Sequence, residues 1–387
     1  MPMLFNDIIG LPHIKNHLTT TADRNRIPHA QLFTGKSGSG ALPMAIAYAQ
    51  YILCKNTGGE NDSNTAAGCN LKFNNHSHPD LHFAFPVATN DKIKSQPISS
   101  HFLDEWRNFL KTNPYGSLYD WYQSLGIEKK QGKIGVHEAQ NIVKSLSLKA
   151  YEGGFKVMII WMAEKMNMEA ANKLLKLIEE PPNKTVFLLI SEDEEQIIQT
   201  IRSRCQSLYF PPLSEADIAN TLAEKENCSP AIAKKIAHQA NGDYTKAIHI
   251  LRKNSGDEQF EAWFISWVRS AFKAKGNKST VLELVSWSEE IAALGRETQK
   301  SFLLYCIDFF RQSLLLNYKA KSLVYLEPSA EKFKLENFAP YVHGNNITEI
   351  TSALETAIYH IERNGNAKII LTDLSIKLTR FLHKKAA

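Results

Sequence analysis

The stretch LFTGKSGSGALPMA, residues 32–45, has the layout of a phosphate-binding loop. Apolar residues precede Gly35, four residues separate Gly35 from Gly40, and a helical pattern follows. A working loop of the form G-x-x-x-x-G-K-[ST] has a lysine and a hydroxyl residue after its second glycine, to reach the nucleotide phosphates and Mg²⁺. This chain has Ala41 and Leu42 there. The sequence therefore keeps the glycine spacing of a nucleotide site and lacks the side chains that carry its chemistry.

Outside this loop, the first two hundred residues alternate short apolar runs with helical patterns. Such alternation is typical of a parallel sheet covered by helices. We predict strands at residues 30–34, 80–85, 156–162, 185–191 and 206–210. Between the third and fourth strands, apolar residues recur at helical spacing until Pro181 and Pro182 end the helix. The sequence thus predicts an α/β fold built from βαβ units.

A change of pattern follows the last predicted strand. Helix start and stop signals in residues 211–253 predict a small three-helix lid, and only helical patterns follow from residue 258 to residue 387. We therefore predict three domains: an α/β domain over residues 1–210, the lid, and an all-helical C-terminal domain. The aromatic residues of the last domain fit a hydrophobic core better than a cofactor site. They include Trp263, Trp267, Phe302, Phe309 and Phe310.

The composition is that of an ordinary globular protein. Of the 387 residues, 43% are hydrophobic and 22% are charged, and the formal net charge is +5. This mild excess of positive charge tolerates a polyanion nearby without indicating nucleic-acid binding. A secretory leader pattern and an apolar run of membrane-spanning length are both absent from the sequence. We therefore expect a cytoplasmic protein with no membrane partner.

The five cysteines are scattered, which fits a reducing compartment better than a disulfide framework. Cys54, Cys69, His76 and His78 could in principle supply four zinc ligands. They flank a polar stretch, residues 55–75, that has the composition of a long loop. We therefore expect neither zinc nor a disulfide in this region.

Four stretches together resemble clamp-loader subunits of the AAA+ class. They are residues 10–40, 78–83 (HPDLHF), 145–191 and 200–206 (TIRSRCQ). The resemblance is strong up to residue 253 and rests on helical character and size beyond residue 258. It implies an AAA+ type α/β domain with a phosphate loop, a three-helix lid and an all-α collar domain that oligomerises.

The departures from the family's catalytic pattern begin in the phosphate loop. The candidate loop residues are Gly35, Gly38, Gly40, Ala41 and Leu42. In an active member, lysine at position 41 neutralises phosphate charge and a hydroxyl at position 42 holds the metal. The metal-binding strand of an active member ends in Asp and a catalytic Glu, whereas this chain has Trp161 and Met162 there. Glu164 is the nearby carboxylate. The resemblance thus implies a degenerate site without ATP or a metal ion.

The lid shows a third departure. Thr245 stands where catalytic subunits carry an arginine that senses the γ-phosphate. The adjacent Lys246 points about 100° away on a helix and is no equivalent replacement. Lys36 precedes the helix after the loop, where we expect a solvated charge. The resemblance therefore implies a subunit of the clamp loader of a replicative DNA polymerase that does not hydrolyse ATP itself.

One catalytic group of the family is retained. Arg204 in the Ser-Arg-Cys triplet corresponds to the arginine that clamp-loader subunits donate to a neighbour's ATP, whereas Arg202 is the weaker candidate. The implied partners are ATPase subunits and a further non-identical subunit of the loader, and through the complex the sliding clamp and primed DNA. The implied role is to support loading of the clamp during DNA replication.

Other readings of the same residues remain open. A diverged ATPase could use Lys36 and Glu164 in place of the missing groups, and a nucleotide-binding scaffold could act outside replication. A lysine-rich turn with Lys129, Lys130 and Lys133 could contact nucleic acid, although it lacks interleaved aromatic residues. The aromatic segment 105–130 could be a partner-binding helix or a cover on the sheet.

Overall fold

The computed structural model of the chain describes residues 3–55, 63–152, 154–252, 255–275, 277–324, 326, 328 and 333–385. The chain divides into two compact units. The first comprises Met1–Ile127 and Gly132–Ile248, and the second comprises Glu128–Gln131 and His249–Ala387. None of the helices within the described ranges is long and apolar enough to cross a membrane.

The first unit is built on a parallel sheet, which has five strands among the described residues. These are β1 (Ala30–Thr34), β2 (Leu81–Ala84), β3 (Lys156–Trp161), β4 (Thr185–Ser191) and β5 (Gln206–Tyr209). Their order in the sheet is β2-β3-β4-β1-β5. Every residue of β1, β3 and β4 is buried, as expected of inner strands with helices on both faces. The five strands predicted from the sequence are confirmed, and their ends agree to within two residues.

Helices cover the two faces of this sheet. They are α1 (Pro12–Asp23), α2 (Ala41–Lys55), α3 (Ser63–Asn74), α4 (Leu103–Thr112), α5 (Leu118–Leu125), α6 (Val136–Ser147), α7 (Met168–Glu179) and α8 (Gln199–Arg202). Helix α2 follows the phosphate loop and is buried along most of its length. Helices α6 and α7 bury Ile142, Leu146, Leu174 and Ile178 in one core with residues of the sheet. The apolar spacing predicted for α7 is therefore that of a helix packed on the sheet.

The predicted lid is present as α9 (Glu215–Lys225), α10 (Pro230–Ala240) and α11 (Tyr244–Arg252). Ser214 and Ser229 each accept a hydrogen bond from a backbone N–H three residues ahead, which caps α9 and α10. Asn241 ends α10 in the left-handed region, with a φ of 51°. The first unit includes most of these helices, so a domain boundary at residues 210–211 stays a prediction.

The second unit is helical in the part of the chain that is described. Its helices are α12 (Ser255–Ala274), α13 (Lys278–Ala292), α14 (Arg296–Asn317), α15 (Leu335–Phe338), α16 (Gly344–Glu362) and α17 (Ala367–Phe381). Trp267, Phe302, Phe309 and Phe310 lie in its core, and the partly buried Trp263 packs against them. The prediction that these aromatic residues form a core is confirmed. Segment 128–131 belongs to this unit and contacts the start of α14, where Arg296 donates a hydrogen bond to Gln131.

Two expectations for residues 55–75 are wrong. Residues 63–74 form α3 instead of a loop, because Cys69 and Phe73 bury their side chains. These two anchors are too few to produce a visible helical period in the sequence. A disulfide joins Cys54 in α2 to Cys69, with Cα atoms 5.6 Å apart, because α2 and α3 pack together. Residues 56–62 of the predicted loop lie outside the described residues.

The core of the second unit yields a stability prediction. Phe309 is 1% exposed, and its ring centroid lies 4.0 Å from that of Phe264, whereas Leu304 in the same helix is 56% exposed. We expect Phe309→Ala to lower the free energy of unfolding by about 3–5 kcal/mol. Leu304→Ala should change it by less than about 0.5 kcal/mol. Chemical denaturation followed by near-ultraviolet circular dichroism measures both, and equal losses would contradict this account of the core.

Candidate functional site

The phosphate-type loop joins β1 to α2 in the first unit and is held against the sheet. Gly35 donates its N–H to the carbonyl oxygen of Ser191 over 3.1 Å. A Cβ atom at Gly35 would lie 2.7 Å from the Cβ of Phe210, so the close approach requires glycine. Gly38 and Gly40 have φ values of +75° and +93°, which side chains disfavour. The glycines thus fix the path of the loop.

The pocket inside this loop is nearly filled. Its remaining cavity is about 30 Å³. This volume holds a water molecule or two, whereas ligand pockets usually measure about 300–1,000 Å³. The walls are residues 35–38 and 40–43 of the loop and α2, residues 114–116, the end of β3 and the end of β4. The segment that follows α4 therefore takes up space in front of the loop.

Tyr115 is the central side chain of this filling. Its hydroxyl accepts a hydrogen bond from the Ile9 N–H over 2.9 Å, and its carbonyl oxygen accepts one from the Thr245 hydroxyl. Its ring makes an edge contact with Tyr244, 5.0 Å between centroids. Burial raises the pKa of the Tyr115 phenol above its ordinary value. The Tyr115 ring also lies against the loop, since a Cβ atom at Gly40 would be 3.2 Å from it. Tyr115 thus connects the N-terminal segment, the lid and the loop.

The aromatic segment 105–130 packs into the protein, so the structure favours its role as a cover on the sheet. Trp106 and Trp121 are fully buried in α4 and α5. Trp106 stacks on Phe85 with 4.2 Å between ring centroids, and the indole N–H of Trp121 donates to the carbonyl oxygen of Pro86. These contacts position residues 114–116 between the two helices.

The end of β3 completes the closed wall. Trp161 is 2% exposed and packs against Trp106, with 5.1 Å between ring centroids. Met162 is also buried, in the left-handed region. Both line the cavity, whereas Glu164 does not. The Glu164 carboxylate accepts a hydrogen bond from the Glu192 N–H, and burial raises its pKa. The carboxylate therefore lies away from the space that a metal ion would need.

The two lysines considered for nucleotide chemistry differ in position. Lys36 is exposed on the loop and lines the edge of the cavity. Lys246 lies in α11, and its backbone N–H donates to the Asp243 carboxylate. Thr245 is 4% exposed, and its hydroxyl donates a hydrogen bond to the Tyr115 carbonyl oxygen. The lid thus contributes a neutral contact to the filled pocket.

Arg204 lies at the surface between α8 and β5. Its guanidinium donates to the Thr200 carbonyl oxygen over 3.0 Å and pairs with the Glu179 carboxylate over 3.1 Å. Its side chain is 34% exposed. Arg202 pairs with Glu195 instead. Arg204 is not among the described residues that line the filled cavity.

The zinc candidates are only partly brought together. Ligand atoms of Cys69, His78 and Glu152 all lie within 4.8 Å of one another, and Cys69 is bonded to Cys54. His76 lies outside this group. Glu152 was missed because it is 74 residues from His78 in sequence, and no local pattern links them. The expectation that no zinc binds here stays a prediction.

The HPD motif has a structural role at this corner. The Asp80 carboxylate accepts hydrogen bonds from the backbone N–H groups of Tyr151 and Glu152, over 2.7 and 3.0 Å. Glu152 in turn contacts His78 and pairs with Lys72 of α3. Asp80 therefore fixes the segment that precedes β3 beside β2.

Comparisons with known proteins agree with the resemblance seen in the sequence. A family model described as "DNA polymerase III, delta subunit" matches residues 10–214. The chain is 28% identical over 243 residues to DNA polymerase III subunit delta' of Bacillus subtilis (strain 168). The aligned region covers 63% of this chain and 60% of that protein. The chain is 27% identical over 198 residues to the delta' subunit of Escherichia coli (strain K12), which covers 51% and 47%. The chain thus spans about half to three fifths of these relatives.

One solved structure aligns with nearly the whole chain. The DNA polymerase III gamma subunit-related protein of Thermotoga maritima covers 95% of this chain and 99% of its own. The sequence identity is 12% and the TM-score is 0.38. These values are too low to support an inference about the site.

The burial of His76 predicts a pH-dependent stability. Burial, together with the nearby charges of Lys111 and Arg107, lowers the pKa of His76 from 6.5 to about 4. Between these pH values the unfolded chain binds a proton that the folded chain rejects, so the stabilisation present above pH 6.5 is lost as the pH falls. We expect the unfolding free energy to drop by about 3 kcal/mol more than in His76→Gln over this range.

The measurement is a series of denaturant titrations of both proteins between pH 8 and pH 4. The difference in unfolding free energy between the two proteins should be constant above pH 7 and should change below pH 6. Parallel curves over the whole range would show that His76 is protonated in the folded state as readily as in the unfolded chain.

Proposed function

The chain belongs to the family described as DNA polymerase III, delta subunit, and on this premise we propose that it is a delta-prime-like subunit of a bacterial clamp loader that does not hydrolyse ATP. In this role it supports loading of the sliding clamp onto primed DNA during replication. Its direct partners are ATPase subunits of the gamma or tau type and the delta-type subunit. The curated delta' relatives support this assignment.

The proposal that the chain does not hydrolyse ATP rests on the nearly filled pocket at the phosphate loop, whose remaining cavity is about 30 Å³. Tyr115 is part of the cavity lining, and moving its side chain to admit ATP would break the hydrogen bond between its hydroxyl and the Ile9 N–H. The binding free energy gained from ATP would be small, because the side chains of Ala41 and Leu42 offer no charge and no metal ligand. One charge-assisted hydrogen bond to a phosphate contributes about 1.5–3 kcal/mol, and this loop lacks the lysine that would form it.

In this proposal, Arg204 is the side chain that contacts the ATP bound by a neighbouring subunit. It lies at the surface, outside its own filled pocket, and is held by the Glu179 carboxylate. An exposed ion pair of this kind contributes about 0–1 kcal/mol, so exchanging Glu179 for a triphosphate costs little. A guanidinium stays protonated and can bind phosphate oxygens with two parallel hydrogen bonds. These properties support an arginine finger that acts across a subunit interface.

The alternative of a diverged ATPase has less support. Glu164 lies outside the lining of the cavity, and burial favours its neutral form by raising its pKa. Lys36 is exposed on the loop. The lysine patch considered for nucleic acid is divided, since Lys129 and Lys130 belong to the second unit and Lys133 to the first. The filled pocket therefore favours the non-hydrolysing subunit.

Calorimetry tests the closed pocket directly. We expect titration of the chain with Mg-ATP to show no binding with a Kd below about 1 mM, since the cavity lacks the volume of a nucleotide. The double variant Ala41→Lys with Leu42→Thr should behave in the same way, because it restores the chemistry and leaves Tyr115 in place. Circular dichroism controls for folding. Tight binding by the wild-type chain would reject the proposal, and tight binding by the double variant alone would show that side-chain loss, and not closure, prevents binding.

Substitution of Arg204 tests the finger. In a clamp loader reconstituted from its separate subunits, Arg204→Ala should lower the ATPase activity of the neighbouring site by about a hundredfold or more. Arg204→Lys should restore little of it, because lysine lacks the planar guanidinium. Arg202→Ala is the matched control and should keep the wild-type rate. Gel filtration confirms that each variant enters the complex, and an unchanged rate in assembled Arg204→Ala complexes would reject the assignment.

A further inference from the structure

The second unit contains a cavity that the clamp-loader proposal does not use. It measures about 240 Å³ and lies between the C-terminal half of α12 and the segment around α15. The described residues that line it are Val268, Arg269, Phe272, Lys273, Phe333, Lys334, Asn337, Phe338 and Tyr341. This volume is below the usual range of about 300–1,000 Å³ for cofactors and drug-sized ligands. It suits one or two inserted side chains.

The floor and walls of the cavity are apolar and preformed. Val268 and Phe338 are 2% and 8% exposed at its floor, whereas Phe272 and Tyr341 are each 40% exposed. Phe272 makes an edge contact with Tyr341 and stacks on His383, with 4.8 Å between ring centroids in both pairs. The walls are therefore held in place by ring contacts. Single exposed apolar residues are ordinary, whereas Phe272 and Tyr341 lie together in one concave site.

The rim of the cavity is positively charged. Arg269, Lys273 and Lys334 are all exposed, and none of the nine described lining residues is acidic. The Arg269 guanidinium lies over the Phe333 ring at 5.9 Å from its centroid. An apolar floor with a cationic rim complements a ligand that carries an apolar group between negative charges.

We propose that this cavity binds a short acidic peptide segment of a partner protein, with one leucine or phenylalanine side chain inserted between Phe272 and Phe338. The carboxylates of the segment pair with Lys273 and Lys334 at the rim. This site is separate from the phosphate loop and from Arg204, so the proposal does not depend on the clamp-loader assignment.

Single-stranded nucleic acid is the other polyanion that such a rim could attract, and the geometry disfavours it. Bases bind to aromatic rings whose faces are open for stacking. His383 already stacks on Phe272, and the edge contact with Tyr341 places the two rings against each other. The cavity is a depression for a side chain and not a row of stacking platforms. A peptide is therefore the occupant that the contacts favour.

Fluorescence anisotropy of the full chain with a labelled probe tests this proposal. The probe is the peptide Asp-Glu-Asp-Leu-Phe-Asp-Glu, and the comparison peptides replace its acids with lysine or its Leu-Phe pair with Ser-Ser. We expect measurable binding of the acidic probe and at least about tenfold weaker binding of both comparison peptides, which corresponds to about 1.4 kcal/mol. Added salt should weaken the binding of the acidic probe.

The matched variants change the same charge at two places. Lys273→Glu with Lys334→Glu, at the rim, should weaken probe binding by about tenfold or more. Lys275→Glu with Lys321→Glu changes two exposed lysines outside the lining and should leave it unchanged. Both variants must show wild-type circular dichroism. The proposal is overturned if the acidic probe does not bind below about 1 mM, if both variants lose binding equally, or if a labelled oligo-dT strand binds this rim more tightly than the peptide.

Discussion

The hydrogen bond from the Ile9 N–H to the Tyr115 hydroxyl ties the N-terminal segment to the residues that close the phosphate loop. Tyr115 is 8% exposed and also contacts the lid through Tyr244 and Thr245. Parts of the chain that are distant in sequence thus meet at one residue. In an active nucleotide-binding protein, a ligand supplies such contacts when it is bound. Here the protein supplies them itself, so the closed arrangement needs no ligand to be stable.

The filled pocket at the phosphate loop is consistent with the uncharged residues that surround it. Ala41, Trp161 and Thr245 are uncharged residues at the positions where the family resemblance implies cationic or acidic groups in active members. An unpaired charge in a closed pocket would carry a large desolvation penalty, so filling the pocket and removing the charges are compatible changes. Trp161 adds ring contacts to Trp106 in the same wall. Glu164 is still present, but its side chain accepts a hydrogen bond from the Glu192 backbone N–H, and burial raises its pKa.

The sequence was sufficient for the sheet because strands buried on both faces read as continuous apolar runs, as in residues 185–191. Helix caps such as Ser229 were equally visible, since capping depends on residues three apart. The filling of the pocket was not visible. Tyr115 closes the loop through partners about 75, 106 and 130 positions away in the chain, and no periodicity encodes such contacts. Helix α3 was missed for a related reason, because among its described side chains only Cys69 and Phe73 are buried apolar anchors.

The position of Arg204 follows from the same sheet. Helix α7 leads into β4, β4 pairs with β1, and β1 pairs with β5, so the turn before β5 lies on the sheet's outer strand. Arg204 in this turn reaches Glu179, the last residue of α7, where the helix end also favours a positive charge. Its resting contacts are thus one neutral carbonyl oxygen, that of Thr200, and one partly exposed ion pair with Glu179. In the proposed finger role, a triphosphate from a neighbouring chain would offer more negative charge and more acceptor oxygens than the single Glu179 carboxylate, so exchange of this ion pair would leave the fold intact.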